Sequence, residues 1–268
     1  MSGLARAARA YPALLRVGFA EAVAYRAEML VWMLTTTMPL VSLVLWSAVA
    51  EAAPVAGFTQ ARFTSYFLGA LVVRQLTGSW LVWEMNQDIR TGTLSRRLLK
   101  PVHPLVAYSA ENLSALPLRA ALSLPIAVIM LLVIEPSARP SSPVTLAALA
   151  VALLGAWLIN FFTMAFVGTL AFFLESSTAI FEIWLVAFML LSGYLFPLQL
   201  FPPWLRDVAN ALPFRYTLAF PVEVLVGMAK GGDLARGLAV EWAYVAAAGG
   251  AALLSWRAGL RRFSAYGG

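Results

Sequence analysis

The chain has 268 residues, 61% of them apolar and only 12% charged, with a mean hydropathy of +0.80. Soluble domains carry about 25% charged residues, so these proportions exclude a water-soluble enzyme and require a surface that faces lipid. The 19 Lys and Arg against 13 Asp and Glu read as cytoplasmic loops facing anionic lipid rather than as nucleic-acid binding, and the absence of Cys rules out disulfides, thiolate metal sites and a cysteine nucleophile.

The first 28 residues lack the unbroken apolar core of a cleaved signal peptide, since Arg recurs through Arg16. At helical spacing Leu4, Ala8, Tyr11, Leu15 and Phe19 share one face and Arg6, Arg9 and Arg16 the opposite one. That pattern predicts an amphipathic helix lying on a membrane surface, kinked or started at Pro12.

Charge-free runs follow: 22 residues between Glu28 and Glu51, 35 between Arg139 and Glu175, and 23 between Glu182 and Arg206. Each reaches the roughly 20 residues that a helix needs to cross a bilayer. The expected fold is an all-α polytopic membrane protein with six transmembrane helices: Met29–Ala50, Phe63–Trp83, Leu105–Ile134, one within Val144–Leu174, Ala179–Phe196 and Leu238–Trp256. The third carries Pro117 and Pro125 and should kink.

Orientation follows from basic residues in the flanks. Four lie at the N-terminus (Arg6, Arg9, Arg16, Arg26), four after the second span (Arg90, Arg96, Arg97, Lys100) and three at the C-terminus (Arg257, Arg261, Arg262). The connections after the first and third spans hold one each, Arg62 and Arg139. Both termini are therefore expected in the cytoplasm. Arg206, Arg215, Lys230 and Arg236 fall in the long outer connection, where charge is a weak topology signal.

Three ionisable residues, Arg74, Glu111 and Arg119, stand out at membrane depth, where a charge needs a partner. Counting inward from the shared connection puts Arg74 level with residue 115, so either Arg74 pairs with Glu111 as interhelical glue, or the arginines line an aqueous path. His103, flanked by Pro101 and Pro104 with no other His, fits a solvated turn better than a metal or proton-relay site.

The connection from Trp83 to Pro101 reads as a short polar helix ended at Gly92, then Leu94, Leu98 and Leu99 on one face among Arg96, Arg97 and Lys100. Such a stripe suits docking on a second protein or lying on lipid. Farther on, Pro197, Pro202, Pro203, Pro213 and Pro221 cut the outer connection into pieces too short to cross. Trp204, Leu205, Val208, Ala209 and Leu212 recur at helical spacing with Arg206, Asp207 and Asn210 opposite, predicting re-entrant or interfacial helices that either pack between protomers or gate the outer mouth. No Gly-rich phosphate loop occurs and no Asp lies within a span, so any transport should draw its energy from a partner.

The run Ile89-Arg90-x-Gly92-x-Leu94-Ser95-x-x-Leu98-Leu99-x-Pro101, together with Ser192-Gly193-x-x-Phe196-Pro197, Leu212-Pro213 and Tyr216, resembles the ABC-2 type permeases, most closely their six-span branch. The resemblance implies a type V exporter: one transmembrane domain over residues 1–268, with an interfacial helix at 1–28, a cytoplasmic coupling segment at 84–103 and an extracellular re-entrant region at 197–236. It implies two permease subunits, identical or paralogous, in a bacterial inner membrane, each docked on a separate ATPase subunit that holds the ATP and Mg, with no cofactor on this chain. By the same resemblance Glu84, Asn86, Gln87, Asp88, Ile89, Arg90, Gly92 and Leu94 couple to the ATPase, while Tyr66, Phe67, Arg74, Trp80, Phe181, Phe188 and Tyr194 are candidates to line the substrate path. Members export lipids, polysaccharides, peptides and other natural products, so an amphipathic or hydrophobic cargo is expected. A non-transporting membrane anchor subunit and a membrane-embedded enzyme are the alternatives; the second is disfavoured because no catalytic constellation shares one depth.

Overall fold

A computed structural model describes residues 3–27, 31, 37–129, 143–174 and 177–263, and among these the chain is helical with no β-strand, only an isolated bridge between Val55 and Phe58. Most of 29–36 at the start of the first expected span, 130–134 at the end of the third, and Arg139 and Glu175 lie outside the described residues.

The N-terminal helix α1 (Gly3–Ala24) continues through Pro12 and packs on α6 (Pro104–Ser114). Tyr11 meets Ser109 through their hydroxyls at 3.2 Å, and at Gly18 a Cβ would come within 2.5 Å of Ser114 Oγ. Of the expected apolar face, Ala8 and Phe19 stay exposed; the side that meets protein is set by where Gly18 lets α6 approach. Helix α2 (Met38–Ala52) packs on α3 (Gln60–Thr77), with Trp46 stacked on Phe63 at 5.6 Å and its indole N–H donating to the Leu195 carbonyl at 3.1 Å.

Two expected spans are broken. The second is not one helix over Phe63–Trp83: α3 stops at Gly78, which turns extended, and α4 (Leu81–Arg90) starts afresh after Trp80. The third divides into α6 and α7 (Leu116–Ile129), because Pro117 has no N–H for the Leu113 carbonyl and its ring crowds that turn. A five-residue helix, α5 (Leu94–Leu98), lies between α4 and α6.

The longest elements are α8 (Pro143–Thr169), continued by a 3₁₀ turn to Phe172, and α13 (Gly231–Leu260). Each spans 30 residues, the first with its 3₁₀ turn, and contains an 18-residue stretch of mean hydropathy 2.1 and 1.4 respectively, so each is about 45 Å long. They pack along their lengths. Gly155 meets Glu241, Phe162 meets Gly249, Thr169 bonds Ser255 and Phe172 meets Gly259, always 86 or 87 residues apart, so the two helices run parallel. Parallel neighbours require the chain to return to its starting side between them. Helix α9 (Thr178–Leu191) lies on that return and ends earlier than expected, at Gly193, whose φ of +85° is open to glycine and whose carbonyl accepts from the Tyr66 hydroxyl at 3.0 Å.

The connection between α9 and α13 holds three short helices, α10 (Pro203–Ala211), α11 (Pro213–Thr217) and α12 (Ala219–Leu225), the first two opening on Pro at a position that needs no N–H. Helix α12 is wholly buried against α3 and α8. Residues 231–236, expected in the outer connection, form the first turns of α13.

At Gly259 an added Cβ would overlap the Phe172 ring, whereas Gly250 has nothing within 4 Å. Gly259→Ala should lower stability by roughly 1–3 kcal/mol, and Gly250→Ala should be neutral or raise it by up to about 1 kcal/mol through helix propensity; thermal unfolding in detergent compares them directly.

Candidate functional site

The turn Thr91-Gly92-Thr93, with Gly92 at φ +73°, folds α5 back against α4 and carries Arg97 into the angle between α4 and α6. Its guanidinium there meets three carboxylates. Nε donates to Asp88 Oδ2 at 2.6 Å, Nη2 to Glu84 Oε1 at 2.8 Å, and Nη1 to both oxygens of Glu111 at 2.7 and 3.0 Å. Tyr108 donates to the same Asp88 oxygen at 2.6 Å and lays its ring under the guanidinium at 4.3 Å. One positive charge cannot neutralise three acids. Burial first, then the hydrogen bond and charge of Glu111, push the Glu84 carboxyl up to about 8, so it holds a proton at neutral pH and reduces the surplus.

This arrangement overturns the expected Arg74–Glu111 pair, since both Glu111 oxygens are taken by Arg97. The break at Gly78 separates the two levels. Arg74 stays buried at the end of α3, over the rings of Trp80 at 5.6 Å and Phe188 at 5.0 Å and beside the Tyr194 hydroxyl. Arg119 on α7 donates to the Gly78 carbonyl at 2.9 Å. Glu111 lies on α6, on the N-terminal side of the break at Ala115. His103 caps α6, its Nδ1 accepting from the Leu105 N–H at 3.2 Å, and burial followed by the Arg257 charge lowers its pKa, so it is neutral at pH 7.

The residues expected to couple to an ATPase divide by exposure. Gln87 and Arg90 face outward with part of Glu84, while Asn86, Asp88, Ile89 and Leu94 are buried and hold the segment's shape. Leu94 therefore leaves the expected docking stripe for the core. The exposed tip is Leu98 (38% exposed) and Leu99 (87%), with Arg96 and Lys100 beside them. Asn86 Oδ1 accepts from both the backbone N–H and the hydroxyl of Ser177 at 3.2 Å, tying α4 to the residue that opens α9.

The path candidates cluster, but as packed core. Tyr66, Phe67, Phe181, Phe188 and Tyr194 are buried and Trp80 half-buried. A row of rings runs from Trp83 to Phe181 (4.4 Å), Trp184 (5.7 Å), Phe188 (5.3 Å) and Tyr194 (5.5 Å), joining α4 to the length of α9. Two acids escape the expectation that only Arg74, Glu111 and Arg119 need explaining at depth: Glu182 is exposed on α9, and Glu241 is fully buried against Gly155 with neither carboxyl oxygen hydrogen-bonded.

At the opposite end a polar cavity of about 330 Å³ lies beside the short helices α11 and α12. Glu223 forms its inner wall, accepting from Arg215 Nη2 at 2.7 Å and Gln199 Nε2 at 2.8 Å. Arg62, Asp233 and Arg236 also line it.

A family model described as ABC-2 family transporter protein matches residues 25–267. No curated protein matches the chain.

Arg97→Ala leaves three carboxylates facing one another, and should lower stability on the order of 2–3 kcal/mol, less than for a fully buried pair because the rim is hydrated. The pH dependence has a definite sign. Glu84 binds its proton more tightly folded (about 8) than unfolded (near 4.5), so the folded state gains from protonation below 4.5 and loses that gain as pH rises through 8. The melting temperature should fall shallowly across that window, since the side chain is still 41% exposed, and Glu84→Gln should flatten the slope.

Proposed function

The chain belongs to the ABC-2 transporter family and is a membrane permease component of an ABC transporter; from that premise we propose that it is a six-span export subunit, driven by a separate ATPase through the α4–α5 segment. The observation that carries this reading is the form of that segment. It is a short rigid piece cut from the bundle at Gly78, held by Arg97 at one side and presenting Leu98 and Leu99 to solvent. Family permeases generally partner with an ABC ATPase, and an apolar tip flanked by Arg90, Arg96 and Lys100 suits a groove on such a partner.

The parallel run of α8 and α13 supports the six-span topology, because it makes the fourth and sixth spans cross in the same sense. With the basic flanks inside, both termini face the cytoplasm of a bacterial inner membrane, residues 1–268 form one transmembrane domain, and 197–230 forms the outer re-entrant region. Two such subunits, identical or paralogous, each dock an ATPase chain that carries the ATP and Mg; this chain binds no cofactor.

Force applied to the tip has two routes inward. The Arg97 node transmits it to α6 and so to α1, which packs on α6. Asn86 and Trp83 transmit it to α9, whose aromatic row is closed in this conformation. Displacing α4 would therefore move α9 and part Phe188 and Tyr194 from Arg74, opening a path suited to a hydrophobic or amphipathic molecule.

The test is co-purification with an ABC ATPase and vanadate-sensitive export from reconstituted vesicles. Leu98→Asp with Leu99→Asp should abolish ATPase binding while the permease melts unchanged. Asn86→Ala should keep ATPase binding and ATP turnover but reduce export at least tenfold. Export that survives the double aspartate variant would refute the docking assignment.

A further inference from the structure

The outer cavity has chemistry that the coupling mechanism does not use. It is built from four separate stretches: Arg62 at the start of α3, Gln199 in the turn after α9, Arg215 and Glu223 on α11 and α12, and Asp233 and Arg236 in the first turns of α13. At about 330 Å³ it is the size of a small-ligand site. It lies far from the Arg97 node: the C-terminal ends of α8 and α13 meet α4 and the start of α6, through Gly168 against Met85 and Trp256 against His103, whereas α13 begins at the cavity. Arg236 and Trp256 are 20 residues apart on one helix, about 30 Å, the thickness of a bilayer's hydrocarbon core.

The polar balance inside is uneven. Three guanidiniums (Arg62, Arg215, Arg236) face two carboxylates (Glu223, Asp233). Glu223 is already committed, one oxygen to Arg215 and the other to Gln199. Among the described residues no carboxylate forms an ion pair with Arg62 or Arg236. In the wall, Arg215 Nε and Gln199 Oε1 are shut from solvent without a hydrogen-bond partner. Guanidiniums in this number recognise phosphate or carboxylate oxygens. Close by, α10 exposes Trp204 (69%) and Val208, which suits an outer-leaflet interface where an apolar chain could continue from a head held in the cavity.

We propose that this cavity is a binding site for an anionic, phosphate-class group, with Arg62 and Arg236 at its mouth and Arg215, oriented by Glu223, in its wall. The group is either the head of an amphiphile in the outer leaflet or a free anion. The exporter reading above supplies only the side of the membrane on which the cavity opens; binding is measured without an ATPase, so failure here leaves that reading intact.

The full chain in phosphatidylcholine nanodiscs is titrated calorimetrically with dihexanoyl phosphatidylglycerol, dihexanoyl phosphatidylcholine and inorganic phosphate. The phosphatidylglycerol should bind at least tenfold more tightly than the phosphatidylcholine. Arg62→Gln and Arg236→Gln, both at exposed positions, should each weaken it about tenfold without changing the melting temperature, and Arg257→Gln at the other end should leave it unchanged. Tighter binding of phosphatidylglycerol than of phosphate assigns the site to an amphiphile's head, and equal binding assigns it to the free anion; both sustain the proposal. No saturable binding of either, or wild-type affinity in the Arg62→Gln, Arg236→Gln double variant, overturns it.

Discussion

The N–H donors of the Arg97 guanidinium hold Glu84, Asp88 and Glu111, and with them the relative placement of α4, α5 and α6. The Gly78 break cuts α4 from α3, so its position is set by this network together with the burial of Leu81, Val82, Met85 and Ile89 against α8 and the Asn86–Ser177 bonds. An arginine suits the task where a lysine would not: its planar fork reaches three carboxylates at fixed angles, and its flat face rests on the Tyr108 ring. The surplus of negative charge is moderated by the proton on Glu84, which makes the node sensitive to pH near neutrality.

The remainder of the bundle is assembled by close approach rather than by charge. Between helices in lipid there is little hydrophobic driving force, so packing of small residues has to supply the association. Gly155, Gly249 and Gly259 on the α8–α13 seam, Gly18 on α1 and Gly168 against Met85 each let a neighbouring side chain or helix occupy the space of a missing Cβ. The parallel pair that results runs from the arginine-lined cavity toward the Arg97 node, so these two polar clusters are joined by one pair of long helices. Glu241, buried in that seam with neither carboxyl oxygen hydrogen-bonded, departs from apolar packing, as does the Thr169–Ser255 bond.

Much of this was legible in the chain itself. The scarcity of charge and the length of its gaps predict a helical membrane protein, and α8 coincides with the fourth expected span because nothing in its 27 residues interrupts an apolar helix. Proline placement likewise announces the division of the outer connection. Less legible were the ends of helices. The polar turn at Gly78 lies inside a run apolar enough to read as continuous, and the early start of α13 is masked by Asp233 and Arg236, which hydropathy treats as loop residues.

What the sequence determined by itself is local: which stretches are apolar enough to leave water, where proline forbids a helix, and on which side basic residues gather. Those follow from side-chain chemistry summed over neighbours in the chain. Pairing is a different matter. Arg74 and Arg97 are both candidates for Glu111 by composition, and counting along two ideal helices selects Arg74. The tertiary structure selects Arg97 because Gly78 and Pro117 break both helices and a left-handed glycine at position 92 turns the chain back, bringing residue 97 where no regular helix would place it. The same holds for the outer cavity, whose arginines are scattered from 62 to 236 and meet only when α3, α11 and α13 are packed together.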